Sequence, residues 1–206
     1  MMGKYYYHGT DINSFIKILD TCEIKCRRLI EKENIVIRRS LDITLGVGYN
    51  GNEYISLCKL NDYSYEGESA YDVFVRGNFC FVISDDIHAI KPLDIDSREI
   101  REKFSQELLS FIESRDISEL RFSNMKDEWQ VKTRIPLQYI KGIGIPIRKI
   151  EYYPEMFYYI QRAIALAEMY HLDVVDSSKF KFIEAYESGK STDEEKEKIK
   201  TIVYGR

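Results

Sequence analysis

The chain is poor in the features that mark membrane and secreted proteins. It has no apolar run close to the roughly 18 residues that a membrane-spanning helix requires. It also lacks the basic-then-apolar N-terminal segment that directs export. We therefore expect a cytoplasmic protein without a membrane partner.

Cysteine is also scarce, with four in the chain: Cys22, Cys26, Cys58 and Cys80. Cys22 and Cys26 are one helical turn apart, but no second close pair and no nearby histidine completes a zinc spacing. Cys58 and Cys80 lie in apolar, strand-like segments, where cysteine is typically a small core residue. We expect reduced thiols and no metal site.

There is no excess of positive charge. Thirty Lys and Arg against 34 Asp and Glu give a formal net charge of −4, which argues against a protein held on nucleic acid mainly by charge. One local stretch is basic, although Glu31 and Glu33 dilute it. Its members are Lys25, Arg27, Arg28, Lys32, Arg38 and Arg39. We interpret it as solvated surface, with a phosphate or an acidic partner as the alternative.

What the chain does contain fits a globular protein of ordinary size. It has 206 residues, 44% of them hydrophobic and 13% aromatic, which suffices for a substantial core. Apolar periodicity predicts strands at 4–7, 54–58, 79–84, 128–135 and 172–175, and a β-rich segment at 139–147. It predicts helices from about residue 11, after Asp96, from Pro154 to about 170, and over 180–203. This mixed order indicates an α+β fold.

A first candidate site is the step His8-Gly9-Thr10, between the first predicted strand and the first helix. An imidazole can hydrogen-bond a ribose hydroxyl, and a glycine backbone, lacking Cβ, can approach a flat amide closely. The step is therefore suited to binding the ribose and amide of a dinucleotide. The alternative is a histidine that simply closes a buried strand.

Two later strands carry further candidates. Tyr54 and Ser56 are two residues apart on the predicted strand 54–58, and Glu128 opens the strand that continues through Trp129 and Gln130. Each has a structural alternative: Tyr54 as a core tyrosine, Ser56 bonded to its own backbone, and Glu128 as a solvated strand entry. Their order and strand-like settings favour reading them together.

In this order the three motifs resemble the ADP-ribosyltransferase superfamily, and most closely its histidine–tyrosine–glutamate branch. The resemblance covers about residues 4–147. It implies an α+β domain of split antiparallel sheets over residues 1–150, with residues 151–206 as a mainly helical extension packed on it. It also implies NAD as co-substrate and transfer of ADP-ribose to a protein or nucleic acid, as in toxins, effectors or phage-defence enzymes. A toxin of this kind would have an antitoxin or regulatory partner.

The resemblance also implies roles for the residues. Loss of nicotinamide from NAD develops positive charge on the ribose carbon, as in glycoside cleavage, and Glu128 would stabilise that charge. His8 would bind a ribose hydroxyl, Gly9 the carboxamide, and Thr10 belongs to the same NAD-binding step. Tyr54 would line or stack on the nicotinamide, or Ser56 would orient Glu128.

Several alternatives stay open. The pair Glu128-x-Gln130 provides no second acid, which weakens the case for arginine modification. RNA 2′-phosphotransferases share the His-Gly-Thr step, and an NAD glycohydrolase needs the same pocket without an acceptor. From other classes, the sixteen tyrosines would suit a non-catalytic interaction module, and a nuclease toxin would use His8 as its base.

Overall fold

The computed structural model describes residues 4–33, 53–59, 75–91, 93–94, 122–123, 127–152, 156–178, 182–189 and 192–205. The predicted helix after Asp96 lies outside these residues. The described strands are β1 Tyr5–Thr10, β2 Glu23–Lys25, β3 Tyr54–Cys58, β4 Phe79–Ser84, β5 Leu93–Asp94, β6 Phe122–Ser123, β7 Glu128–Lys132, β8 Arg134–Pro136, β9 Ile140–Ile145 and β10 Asp173–Asp176. The described helices are α1 Ile12–Thr21, α2 Arg27–Lys32, α3 Ile147–Tyr152, α4 Phe157–Met169, α5 Phe182–Glu187 and α6 Thr192–Tyr204.

Six of these strands form the main sheet, in the order β10-β9-β4-β1-β3-β7. Its pairs are antiparallel except β9–β10, which is parallel and is joined through α3 and α4. Two small ladders accompany it, β2 with β8 and β5 with β6. The predicted α+β class is therefore confirmed, with a mostly antiparallel sheet.

Because successive side chains of a strand point to opposite sides, the main sheet has two distinct faces. The Tyr6 face carries Tyr6, Phe81 and Ile83 together with the apolar sides of α1, α4 and α6. The Tyr7 face carries Tyr7, Cys58, Cys80, Val82 and Val175, and α5 packs on it. The larger core is on the Tyr6 face.

Helix α1 shows how a local signal positions the first motif. Asp11 is its N-cap, and the carboxylate accepts hydrogen bonds from the backbone N–H groups of Asn13 and Ser14 at 2.9 and 3.1 Å. Phe15 then packs on Phe81 with ring centroids 4.8 Å apart. The chain therefore turns from β1 into the helix directly after the His8-Gly9-Thr10 step.

Helix α4 ends in a left-handed residue before β10. His171 has φ 55°, and the N–H of Leu172 donates to the carbonyl of Ala167 at 2.8 Å. This six-to-one bond is that of a Schellman motif. His171 therefore lies just after the C-terminal end of α4.

The approach of β9 to β4 depends on one glycine. A Cβ at Gly144 would overlap the Sγ of Cys80 and lie 3.1 Å from the Cβ of Ser177. Glycine therefore lets β9 carry the parallel strand β10 without displacing the Cys80 side chain.

Candidate active site on three adjacent strands

The three predicted motifs lie on neighbouring strands of the main sheet. β3 lies between β1 and β7, with Cys58 opposite both Tyr7 and Glu128. Further along β3, Ser56 lies opposite Gln130. Through β3, backbone pairing thus brings β1 and β7, which are more than a hundred residues apart in the chain, to within two strands of each other.

Glu128 is a buried carboxylate on the Tyr7 face, with 8% of its surface exposed. The side-chain amide of Gln130 donates to its Oε1 at 3.2 Å, and the ammonium of Lys91 donates to its backbone carbonyl at 3.0 Å. Gln130 therefore helps to fix the orientation of the carboxylate. The sequence interpretation missed this role, although residues two apart on a strand share a face.

Tyr54 and Ser56 share the Tyr7 face with Glu128 but differ in accessibility. Tyr54 is 7% exposed and lies opposite Lys132. The Ser56 side chain is exposed and lies diagonal to Glu128 across β3–β7, a relation in which side chains can interact. A ligand on this face would meet the Ser56 hydroxyl first.

His8 lies on the other side of the sheet. Its partner on β4 is Phe81, so strand alternation directs the imidazole to the Tyr6 face, opposite the face of Glu128. Thr10 has the same orientation, whereas Gly9 belongs to the Tyr7 face. The structure thus brings Gly9, Ser56 and Glu128 onto one face and separates His8 from them.

The geometry of β1 and β3 explains how His8 can still reach the site. Tyr7–Cys58 is the one registered pair between these two strands within the described residues. Beyond it, Nδ1 of His8 lies 2.9 Å from the carbonyl oxygen of Ser56. The ring therefore connects β1 and β3 just beyond their registered pair. A ligand that contacts both His8 and Glu128 would have to lie at this end of the β1–β3 ladder.

The bond to Ser56 determines which ring nitrogen of His8 carries a proton. A carbonyl oxygen can only accept, so Nδ1 carries the proton. Burial lowers the pKa of His8, opposed by the bond to Ser56, which favours the neutral imidazole. Nε2 of a neutral ring with Nδ1–H is an acceptor, and an acceptor suits a hydroxyl group of a ligand.

The basic stretch is largely neutralised by acidic neighbours. Arg27 pairs with Glu31 at 3.0 Å, Arg28 with Glu53, and Lys25 with both Glu23 and Glu33. Arg38 and Arg39 lie outside the described residues. These pairs favour a charge-balanced surface over a phosphate-binding groove.

Neither a cluster of metal ligands nor a membrane-spanning helix is present in the described parts of the chain. No group of three or more His, Cys, Asp or Glu side chains is placed to hold a metal ion there. Of the cysteines, Cys26, Cys58 and Cys80 are buried and Cys22 is half-buried, and none forms a disulfide. Among the described helices, none has both the length and the apolar character needed to span a membrane.

Comparison with protein-family models, curated proteins and solved structures finds no match to this chain. Function is therefore inferred from the geometry of β1, β3 and β7.

Proposed function

We propose that the protein is an NAD-dependent mono-ADP-ribosyltransferase acting on a protein or nucleic acid. The observation that supports this most is the order β1-β3-β7, which places the three motifs side by side with the carboxylate of Glu128 oriented by Gln130. The short β1–β3 ladder, with Tyr7–Cys58 as its registered pair within the described residues, supports the finer assignment to split antiparallel sheets.

The residues on these strands match the chemical needs of NAD. Nε2 of His8 can accept from a ribose hydroxyl, and the backbone of Gly9 can meet a carboxamide. Ser56 offers an exposed hydroxyl on the same face as Glu128. Tyr54, buried at the first position of β3, would line the nicotinamide side.

Glu128 would supply the main catalytic effect. As the bond between ribose and nicotinamide breaks, its electron pair leaves with nicotinamide and the ribose carbon becomes positive. A carboxylate held in place in a poorly solvated position stabilises that charge without reorganising. Preorganised groups of this kind contribute about 3–4 kcal/mol, or roughly a hundred- to a thousandfold in rate.

The test is nicotinamide release from NAD by purified protein, with and without cell lysate. Glu128→Gln should lower the rate about a hundredfold or more, and His8→Ala should weaken NAD binding. Glu31→Gln, at an exposed glutamate on α2, is the matched control and should leave both unchanged. Labelled NAD then distinguishes transfer, which labels a macromolecule, from hydrolysis, which does not.

Absence of both nicotinamide release and NAD binding would contradict the proposal that the protein is an enzyme. If the wild-type protein neither releases nicotinamide nor binds NAD, the second candidate applies, a non-catalytic interaction module. Its supporting observation is the exposed aromatic pair on α4, Tyr158 and Tyr159, which are 68% and 43% exposed. Aromatic side chains of this kind are enriched at protein interfaces.

A further inference from the structure

Strand β7 is an edge strand of the main sheet, and Glu128 directs its backbone to the outer side of that edge. Backbone groups of neighbouring residues in a strand point to opposite sides. The carbonyl of Asp127 and the N–H of Thr133 bond residues that flank β3, whereas both backbone groups of Gln130 bond Ile90. The backbone of Glu128, two residues before Gln130, is therefore directed away from β3 and towards the side of Ile90.

The pair formed by Ile90 and Gln130 has the geometry of an antiparallel ladder. The N–H of Ile90 donates to the carbonyl of Gln130 at 2.8 Å, and the N–H of Gln130 donates to the carbonyl of Ile90 at 2.9 Å. A ladder continued from such a pair would next bond residue 92 to Glu128. Residue 92 is a proline, and proline has no N–H to donate. The carbonyl of Glu128 therefore needs a donor of another kind.

Lys91 provides a donor to this carbonyl. Its ammonium donates to the backbone oxygen of Glu128 at 3.0 Å. The same ammonium lies 5.7 Å from the centre of the Trp129 ring, within the range of a cation–π interaction. Trp129 packs in turn on Tyr6, with ring centroids 5.6 Å apart. Two contacts therefore hold the long lysine side chain beside the start of β7.

The segment that carries Lys91 is held by the rest of the sheet. It follows β4 directly, and its buried Ile87 belongs to the core of the Tyr6 face, against which Ala89 also packs. Asp85, near its start, has a carboxylate oxygen 3.7 Å from the ammonium of Lys59, the residue that follows β3. The folded sheet as a whole therefore sets the position of Lys91 relative to β7.

We propose that Lys91 is a positioning residue of the reaction, which holds the backbone of Glu128 where its carboxylate stabilises the ribose carbon. This rests on the proposed function. Gln130 and Lys91 then act on two different parts of Glu128, because the amide of Gln130 donates to the carboxylate and the ammonium of Lys91 to the backbone carbonyl. A misplacement of about 1 Å can lower a rate about a hundredfold, so a small movement of this strand is enough to reduce turnover.

The experiment measures nicotinamide release by the full chain and by two variants of Lys91. Lys91 is exposed, so its replacement leaves the packing of the core unchanged. Lys91→Met keeps the apolar stem but removes the ammonium, and kcat should fall about tenfold with little change in KM. Lys91→Arg keeps a charged donor and should retain most of kcat. Lys141→Met, at an exposed lysine on β9, is the matched control and should equal the wild type.

Amide hydrogen exchange provides a local readout that does not depend on activity. In Lys91→Met the N–H of Gln130, which donates to Ile90, should exchange roughly tenfold faster, because the outer edge of β7 opens more often. The N–H of Val131 points to β3 and should keep its wild-type rate, since the β3–β7 ladder is unchanged. A residue that only stabilises the fold would raise both rates together.

Three results would overturn the proposal while leaving the proposed function intact. The first is a folded Lys91→Met protein with wild-type kcat. The second is an equal loss of kcat in Lys91→Met and Lys91→Arg, since the charged donor would then not be the cause. The third is a loss of kcat accompanied by faster exchange at both Gln130 and Val131. Failure of the proposed function gives a different result, because the wild-type protein itself would then release no nicotinamide.

Discussion

The two faces of the main sheet differ in what covers them and in what they expose. The Tyr6 face is packed by α1, α4 and α6 and carries the larger apolar core. The Tyr7 face has α5 over its middle strands, while β3 and β7 present Ser56, Gln130 and Glu128. Under the proposed function, Glu128 belongs to the Tyr7 face and the larger apolar core to the Tyr6 face, so substitutions of Glu128 and of the core should affect activity and stability largely separately.

The largest expected effect is on the Tyr6 face. Phe81→Ala removes a fully buried ring that packs on Phe15, so the free energy of unfolding should fall by about 3–5 kcal/mol. Tyr158→Ala removes an aromatic ring that is 68% exposed and should change it by less than about 0.5 kcal/mol. Urea denaturation followed by circular dichroism measures both. If both variants lost the same free energy of unfolding, Phe81 would not be part of the main core.

On the Tyr7 face we expect a smaller effect, which lowers turnover and leaves stability largely unchanged. Gln130→Met keeps the length of the side chain but removes the N–H that orients Glu128. Hydrogen bonds to charged groups contribute about 1.5–3 kcal/mol, so turnover should fall at least tenfold while the folded state persists. Nicotinamide release and thermal unfolding are measured on the same sample. Unchanged turnover would exclude a positioning role for Gln130.

The comparison also shows what the sequence could predict. The strands Tyr54–Cys58 and Phe79–Ser84 have the bounds predicted from their apolar runs, because those runs are short and bounded by polar residues. β1 continues to Thr10, beyond its predicted end at residue 7, because Thr10 pairs with Phe79. That pairing joins segments some seventy residues apart and leaves no local pattern.

The site shows the same limit. The sequence places the motifs on separate strands, but the face of each side chain depends on register. The observed register directs His8 to one face of the sheet and Glu128 to the other. The segment 180–203, predicted as helical, contains α5 and α6, and Gly189 between them has φ 69°. Only that division places Glu187 over Tyr7, so its position was not predictable from helical periodicity.

The smallest effect concerns His8, the one motif residue on the Tyr6 face with a titrating side chain. Burial lowers its pKa in the folded protein, so the unfolded chain binds the proton more readily. The stability contributed by the neutral ring is fully present above the unfolded pKa, about 6.5, and is lost as the pH falls below it.

His8→Gln should remove this dependence. The difference in free energy of unfolding between wild type and variant should shift against the wild type from about pH 7 to pH 5. Chemical denaturation at each pH gives the two profiles. Parallel profiles would contradict a half-buried neutral imidazole at this position.

The contact between Tyr7 and Glu187 joins residues 180 positions apart, and this sets a time order during synthesis. Chains are synthesised from the N-terminus at about 5–20 residues per second, so β1, β3 and β7 are made several seconds before α5. The strands that carry the three motifs are therefore made before the helix that packs on Tyr7. Until α5 is made, Tyr7 lacks the ring of Phe182 and the carboxylate of Glu187 that contact it in the folded protein.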